Sequence, residues 1–313
     1  MEQKNIWQKT WFVCLAAIFC NILWGSAFPG IKSGYAIFEI GAADTASQIL
    51  FAGCRFFLAG FLVIAFHSLT QKRVVLPQRG EFGGIVKTSS MQTIAQYVFF
   101  YVSLAHTTGV KGSILAPTSV FFGILITCLI VKMEKLTVQK LIGCIVGFAG
   151  VVLINLSGEG TDMGLHPLGD SCMIISALCN GISVILIKKH SQKINPIVLN
   201  GYQFMFGGAV MALAALLLGG RLHNVSFAGI GVLLYLAFLS ATAYTIWSIL
   251  LKHNPVTKIT IFSFTNPIFG VMLSAWILGE STAFGLRGWL ALACVSAGVI
   301  FVNSDKKGFR RSA

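Results

Sequence analysis

Charge is what this sequence has least of. Only 11% of its 313 residues are charged, against 56% that are hydrophobic, and the mean hydropathy is +0.81. A soluble core of this length needs more polar surface than that. Acids are scarcest, with 10 Asp and Glu against 23 Lys and Arg. None of the acids lies near the middle of an apolar run. Glu134, Asp170 and Glu280 stand at the ends of runs, and the rest are in connections or tails. A dedicated cation site in the middle of a membrane, or a buried carboxylate proton relay, would want an acid there. Also missing are H-E-x-x-H, G-x-S-x-G and paired aspartates in an apolar run, which argues against an intramembrane enzyme. A ring of charges suited to a channel filter is absent too. The 6 histidines show no metal spacing, and the 8 cysteines include no C-x-x-C pair. Those cysteines lie in or beside apolar runs and read as reduced, buried thiols. No metal, cofactor or nucleic-acid partner is expected. The net charge of +13 sits in the short connections between runs.

What is present is a series of apolar stretches of about 20 residues, the length a helix needs to cross the hydrocarbon core. Ten spans are predicted, near 11–31, 47–66, 84–105, 110–131, 138–155, 169–187, 197–218, 226–250, 258–278 and 285–303. The fold class is an all-α membrane protein of ten transmembrane helices, arranged as two inverted five-helix repeats, 1–157 and 158–313. The positive-inside rule sets the orientation. With both termini in the cytoplasm, Lys72, Arg73, Lys132, Lys135, Lys188, Lys189 and Lys193 fall inside. Lys32, Lys111, Arg221 and Arg287 fall outside, and the connection from Leu156 to Asp170 carries no Lys or Arg.

The two halves match in order. Trp24-Gly25 precedes Lys32 as Asn180-Gly181 precedes Lys188. Arg55-Phe56 with Gly60 aligns with Gln203-Phe204 and Gly208. Tyr101, His106 and Lys111 recur at the intervals of Ser248, His253 and Lys258. Glu134 and Glu280 follow the fourth and ninth spans, and Ala149-Gly150-Val151 returns as Ala297-Gly298-Val299. The offset stays near roughly 146 to 156 throughout. Five is odd, so the second copy is upside down relative to the first. Inverted copies of this kind are how many secondary transporters are built.

W-G-S-A-F in the first span, C-R-F-F-L-A-G in the second, L-G-D at the sixth, and a Glu followed by A-G-V in both closing hairpins resemble the drug/metabolite transporter superfamily, and within it the EamA-type permeases. The resemblance covers nearly the whole chain. It implies a ten-helix bundle in the cell (inner) membrane with a central cavity, alternating access, and often export of metabolites or amino acids. Asn180 stands where the family often carries an aromatic residue.

Polar residues inside spans usually face a bundle interior or a cavity. Asn21, Trp24, Gln92, Gln96, Asn180, Tyr244, Trp247 and Asn266 are the candidate substrate-binding residues. Helix–helix packing is the other reading of the same pattern. Pro29, Pro117 and Pro267 interrupt spans, as hinges or as static kinks. Arg55 is the basic residue deep within a span. It is read either as a holder of an anionic substrate group or as a tie to a neighbouring helix end, and Glu134 and Glu280 as anchors of the hairpins. The expected cargo is a small neutral or zwitterionic metabolite, with an organic cation, held by cation–π attraction, as the alternative.

Overall fold

The computed structural model describes residues 5–41, 43–106, 115–155, 167–278 and 286–305. They are helical, with no strand among them. After a short turn at Ile6–Gln8 come α1 (Thr10–Ile37), α2 (Thr45–Gln71), α3 (82–106), α4 (Ala116–Ile130), α5 (Val138–Asn155), α6 (Pro167–His190), α7 (Pro196–Leu217), α8 (Phe227–His253), α9 (256–278) and α10 (Leu286–Asn303). By length and composition 5 of these, α1, α2, α6, α7 and α8, are able to cross a membrane; α4, α5 and α10 hold shorter apolar stretches. Large apolar side chains face outward around the bundle. Phe66 is 71% exposed and Leu217 89% exposed, an arrangement suited to lipid and costly in water.

Helix ends follow local chemistry. α2 starts where the Asp44 carboxylate accepts from the Ser47 N–H at 3.0 Å, an N-cap that satisfies one of the unpaired amides of the first turn. It runs beyond the predicted 66 to Gln71 and stops where Lys72 adopts φ 51, with the Arg73 N–H returning to the Ser68 carbonyl. α1 also outruns its predicted end, because Pro29 is carried inside the helix.

Three helices depart from α geometry. Ser90–Ala95 in α3 and Ile126–Ile130 in α4 are π-helical, and Ile261–Phe264 in α9 is a 3-10 turn. Such wider or tighter turns collect at functional sites. Pro117 lies in the 3-10 turn Ala116–Thr118, between helical Leu115 and the α-helical part from Ser119. Pro267 sits in the first turn of the α-helical part Thr265–Leu278.

Small residues fix the packing. α2 crosses α7 so closely that a β-carbon on Gly60 would lie 2.4 Å from the Gly201 carbonyl oxygen, and one on Gly208 2.7 Å from that of Gly53. α5 and α10 meet the same way, with Gly298 against the Gly143 oxygen at 2.5 Å and Gly150 against that of Ala291 at 2.7 Å. α1 packs on α8 and α9, and α6 on α3 and α4. Gly25 abuts Phe269 and Gly270, and Gly181 abuts Gly123 and Phe122. These are the close backbone approaches that drive helix association in lipid.

Candidate functional site

The middle of the bundle is an aromatic cluster drawn from five helices. Phe56 of α2 stacks on Phe204 of α7 at 5.2 Å, and its ring is 4.5 Å from Tyr97 of α3. Phe204 meets Tyr244 of α8 edge-on at 5.0 Å. The hydroxyls of Tyr97 and Tyr244 lie 2.6 Å apart. Trp24 of α1 lies against Tyr244 at 4.9 Å and Trp247 at 5.0 Å. Asn200 braces this side of α8, donating from Nδ2 to the Tyr244 carbonyl at 2.6 Å and to Ser248 Oγ at 2.9 Å.

Arg55 enters the cluster from α2. It is buried, its Nε donates to Ser240 Oγ at 2.9 Å, and its guanidinium carbon stands 5.2 Å from the centre of the Phe56 ring. The partner lies mid-helix on α8 rather than at a helix end. Ser240 in turn donates to the Leu236 carbonyl at 2.8 Å.

The remaining candidates divide. Gln92 is committed to helix contacts: its Oε1 accepts from Gln203 Nε2 at 2.9 Å, while Thr93 donates to Gln203 Oε1 at 2.7 Å and Ser89 to the Gln203 carbonyl at 2.7 Å. Asn21 donates from Nδ2 to the Ala17 carbonyl at 2.8 Å. Its Oδ1, Trp24 Nε1, Gln96 Oε1 and Asn266 Oδ1 are buried and have no hydrogen-bond partner among the described residues. A buried polar atom without a partner costs about 1–3 kcal/mol, so each is a point where a bound polar group would repay desolvation. Asn21 and Asn266 lie one turn before the Gly25–Gly270 contact on their respective helices. Asn180 is half-buried on α6, beside the Gly181–Gly123 contact with α4; no hydrogen bond joins its side chain to the cluster among the described residues.

Pro29 lies away from the cluster. With Ser26, Gly30, Ser33 and Tyr235 it lines a groove of about 400 Å³ between α1 and α8. Tyr235 on its rim is 45% exposed, so the groove opens to the apolar perimeter, and the chemistry gathers elsewhere, around Arg55 and Tyr244.

One end of the bundle is latched. Glu134, after α4, accepts from Lys140 Nζ at 2.9 Å and from the Thr257 N–H at 3.2 Å, and also from the Thr257 hydroxyl. Lys188 donates to the carbonyls of Lys252 and Asn254 at 3.0 and 2.9 Å, and Asn254 Nδ2 to that of Trp7 at 2.7 Å. Glu280 lies outside the described residues.

Sequence reasoning passed over Tyr97, Phe56 and Phe204 as site residues because aromatic rings inside a span suit lipid and packing as well as a site, and the polar residue before each, Gln96, Arg55 and Gln203, drew the attention. The signal was the repeat itself: Phe56 aligns with Phe204, and the interval relating Tyr101 to Ser248 also relates Tyr97 to Tyr244.

Comparisons with known proteins give this geometry a family. The model of the EamA-like transporter family matches residues 11–156 and again 167–304. A protein of Archaeoglobus fulgidus named an uncharacterized transporter is 27% identical over 84% of this chain and 88% of its own length. YetK of Bacillus subtilis, also named a transporter, is 28% identical over 82% of this chain and 78% of its own. YedA of Escherichia coli, named an inner membrane transporter, is 23% identical over 94% and 91%. A solved crystal structure superposes with a TM-score of 0.76 at 16% identity, covering 92% of this chain and 95% of that one, and shares the fold. With matches across both halves of the sequence and apolar helices throughout, the chain belongs to the EamA-like transporter family and is a multi-pass membrane protein.

Proposed function

We propose that this chain is a ten-span carrier made of two inverted five-helix repeats, 1–157 and 158–313. It moves a small neutral or zwitterionic metabolite, outward, by alternating access through a central site in the inner membrane, with both termini in the cytoplasm. Support for the repeats comes from the double family match and from packing. Exchanging α1–α5 with α6–α10 leaves the helix pairing unchanged: α2 with α7, α5 with α10, and α1 on α8 and α9 as α6 on α3 and α4. Phe56 with Phe204 and Tyr97 with Tyr244 are then pairs lying across a pseudo-two-fold axis. Rocking one repeat against the other about such a fixed site is the usual basis of alternating access.

The observation that carries the substrate class is the set of buried atoms without partners: Trp24 Nε1, Gln96 Oε1, Asn21 Oδ1 and Asn266 Oδ1. They offer one donor and three acceptors beside an aromatic cluster. The charge in that cluster is Arg55, which repels an organic cation and leaves a neutral or zwitterionic cargo as the better fit.

Isosteres test it. In a packing role, replacing an unpartnered buried polar atom with an apolar group is neutral or stabilising. Trp24→Phe, Gln96→Met and Asn266→Leu are therefore expected to express and melt like the parent chain while losing most of their transport in proteoliposomes. Full transport in all three would remove this site from the pathway.

A further inference from the structure

Arg55 carries a permanent charge into the interior, about 15 Å along α2 from its start at Thr45 by helical rise alone. Its exposure is 3%. A cation moved out of water loses several kcal/mol of hydration unless it is paired. Here Nε has Ser240, and among the described residues no other hydrogen bond and no carboxylate partner is made by the guanidinium. Glu134 and Lys140, by contrast, are paired at 2.9 Å.

The second half of the chain shows what the same position looks like when it is purely structural. Gln203 takes the place of Arg55 there, each followed by a phenylalanine of the stacked pair. Both polar atoms of the Gln203 amide are used, Oε1 by Thr93 and Nε2 by Gln92. Carrying these two partners back across the repeat puts Ser240 in the place of Thr93, and it does hold Arg55. In the place of Gln92 it puts Leu239, which is buried and apolar. A neutral amide is thus sufficient to tie the helices. On the Arg55 side the chain has a larger, charged group and has given up the second protein partner.

We infer that the Arg55 guanidinium is the receiving group for a substrate carboxylate, beside the cluster that holds Tyr35, Tyr97 and Tyr244. The inference rests on the carrier reading above and narrows its substrate to a zwitterion with a carboxylate. The two terminal NH2 groups form a planar fork that matches a carboxylate edge. Tyr35 supplies a buried hydroxyl turned towards Tyr101 without a hydrogen bond of ordinary geometry, and Tyr97 and Tyr244, joined through their hydroxyls, pack on the Phe56 ring that the Arg55 guanidinium also faces. A single fixed cation neutralises a monoanion; a phosphate dianion would want a second one. At the α1, α3 and α9 side of the cluster, the partnerless oxygens of Asn21, Gln96 and Asn266 are acceptors, the complement of an ammonium group. The two ends of an amino acid would so be read by opposite chemistry, with the rings of Trp24, Tyr244 and Trp247 between them.

The test is thermal stabilisation of the purified full chain in detergent by L-alanine, L-serine, L-valine, L-leucine, L-methionine and L-phenylalanine, each beside its α-carboxamide. The amide keeps the ammonium and side chain and loses only the carboxylate charge. At least one acid is expected to raise Tm where its amide does not. Arg55→Gln is expected to weaken that acid tenfold or more and to erase the difference between acid and amide. Ser240→Ala, which removes the helix tie and leaves the charge, is expected to keep the difference. Equal stabilisation by acid and amide, or a preference for the acid that survives Arg55→Gln, would make Arg55 a structural tie and leave the carrier reading standing. No response of the parent chain to any of these acids or amides would defeat the zwitterion reading itself, and this assignment with it. If Arg55→Gln does not fold, Arg55→Lys takes its place: a point charge without the fork is expected to keep the preference and bind several-fold more weakly. Unchanged affinity in Arg55→Lys would overturn the assignment.

Discussion

Removing the carboxylate of Glu134 gives the sharpest expectation for stability. Glu134 is 8% exposed and Lys140 is fully buried, and the pair is closed at 2.9 Å with Thr257 donating twice to the same carboxylate. In Glu134→Gln the Lys140 ammonium stays buried and keeps the Lys135 carbonyl at 3.0 Å while losing the Glu134 charge. Breaking a buried pair from one side costs about 3–5 kcal/mol. For a chain of this size about 2 °C of Tm corresponds to 1 kcal/mol, so Glu134→Gln is expected to melt about 6–10 °C lower. Lys140→Met is expected to cost less, because Thr257 still serves the carboxylate. In the double variant, with both charges gone, the loss is expected to fall well short of the sum of the singles. Fluorescence-detected thermal unfolding in detergent reads all three. A Glu134→Gln protein that melts with the parent, or strictly additive singles, would show that the latch between the α4–α5 connection and the start of α9 contributes nothing.

Further expectations concern topology, packing and a cap. In a Cys-less background Gly41→Cys is expected to react with an impermeant maleimide added outside intact cells and Gln78→Cys is not; the reverse pattern would invert the proposed orientation. Gly60→Leu places side-chain atoms where the Gly201 oxygen already lies 2.4 Å from the β-carbon position, so α2 and α7 must separate; overpacking of this kind costs about 1–3 kcal/mol or more, and an unchanged Tm would mean the crossing is looser than described. Asp44→Ala removes the α2 cap at a cost of about 1 kcal/mol. Because hydrogen bonds from Ser47 hold the Asp44 carboxyl below its ordinary value, the difference between Asp44→Ala and the parent is expected to be present at neutral pH and to shrink as acid protonates Asp44; a difference that grows in acid would contradict the cap.

The helices were legible because lipid imposes a length and an apolarity that water-soluble folds do not. Each predicted span coincides with a helix over most of its described residues, and the errors are at ends such as Ile37 and Gln71, where a helix continues until a left-handed residue or a lost hydrogen bond stops it. Internal irregularity was not legible. The π-helical turn at Ser90–Ala95 lies in contact with α7 and α6, and nothing in S-M-Q-T-I-A announces it. That contact also decided the fate of two similar glutamines: Gln92 found Gln203 across the helix interface, while one turn on, Gln96 found nothing. Spacing alone puts both on one face and has no means of telling them apart. Arg55 was visible as an anomaly, but the sequence names no partner for it beyond a neighbouring helix end. A serine in the middle of α8 takes that role, which is what leaves the charge available.

Flux is the most direct test of the central claim. The purified chain, reconstituted into liposomes loaded with an unlabelled amino acid that stabilises it, is expected to accumulate the labelled form by counterflow at equal internal and external pH. Accumulation should saturate and should fall severely in Trp24→Phe and Gln96→Met. Flux that appears only with an imposed pH gradient and is lost in Glu280→Gln, or labelled substrate that enters without saturation, would contradict a carrier that binds its cargo through the neutral and basic groups of this central site.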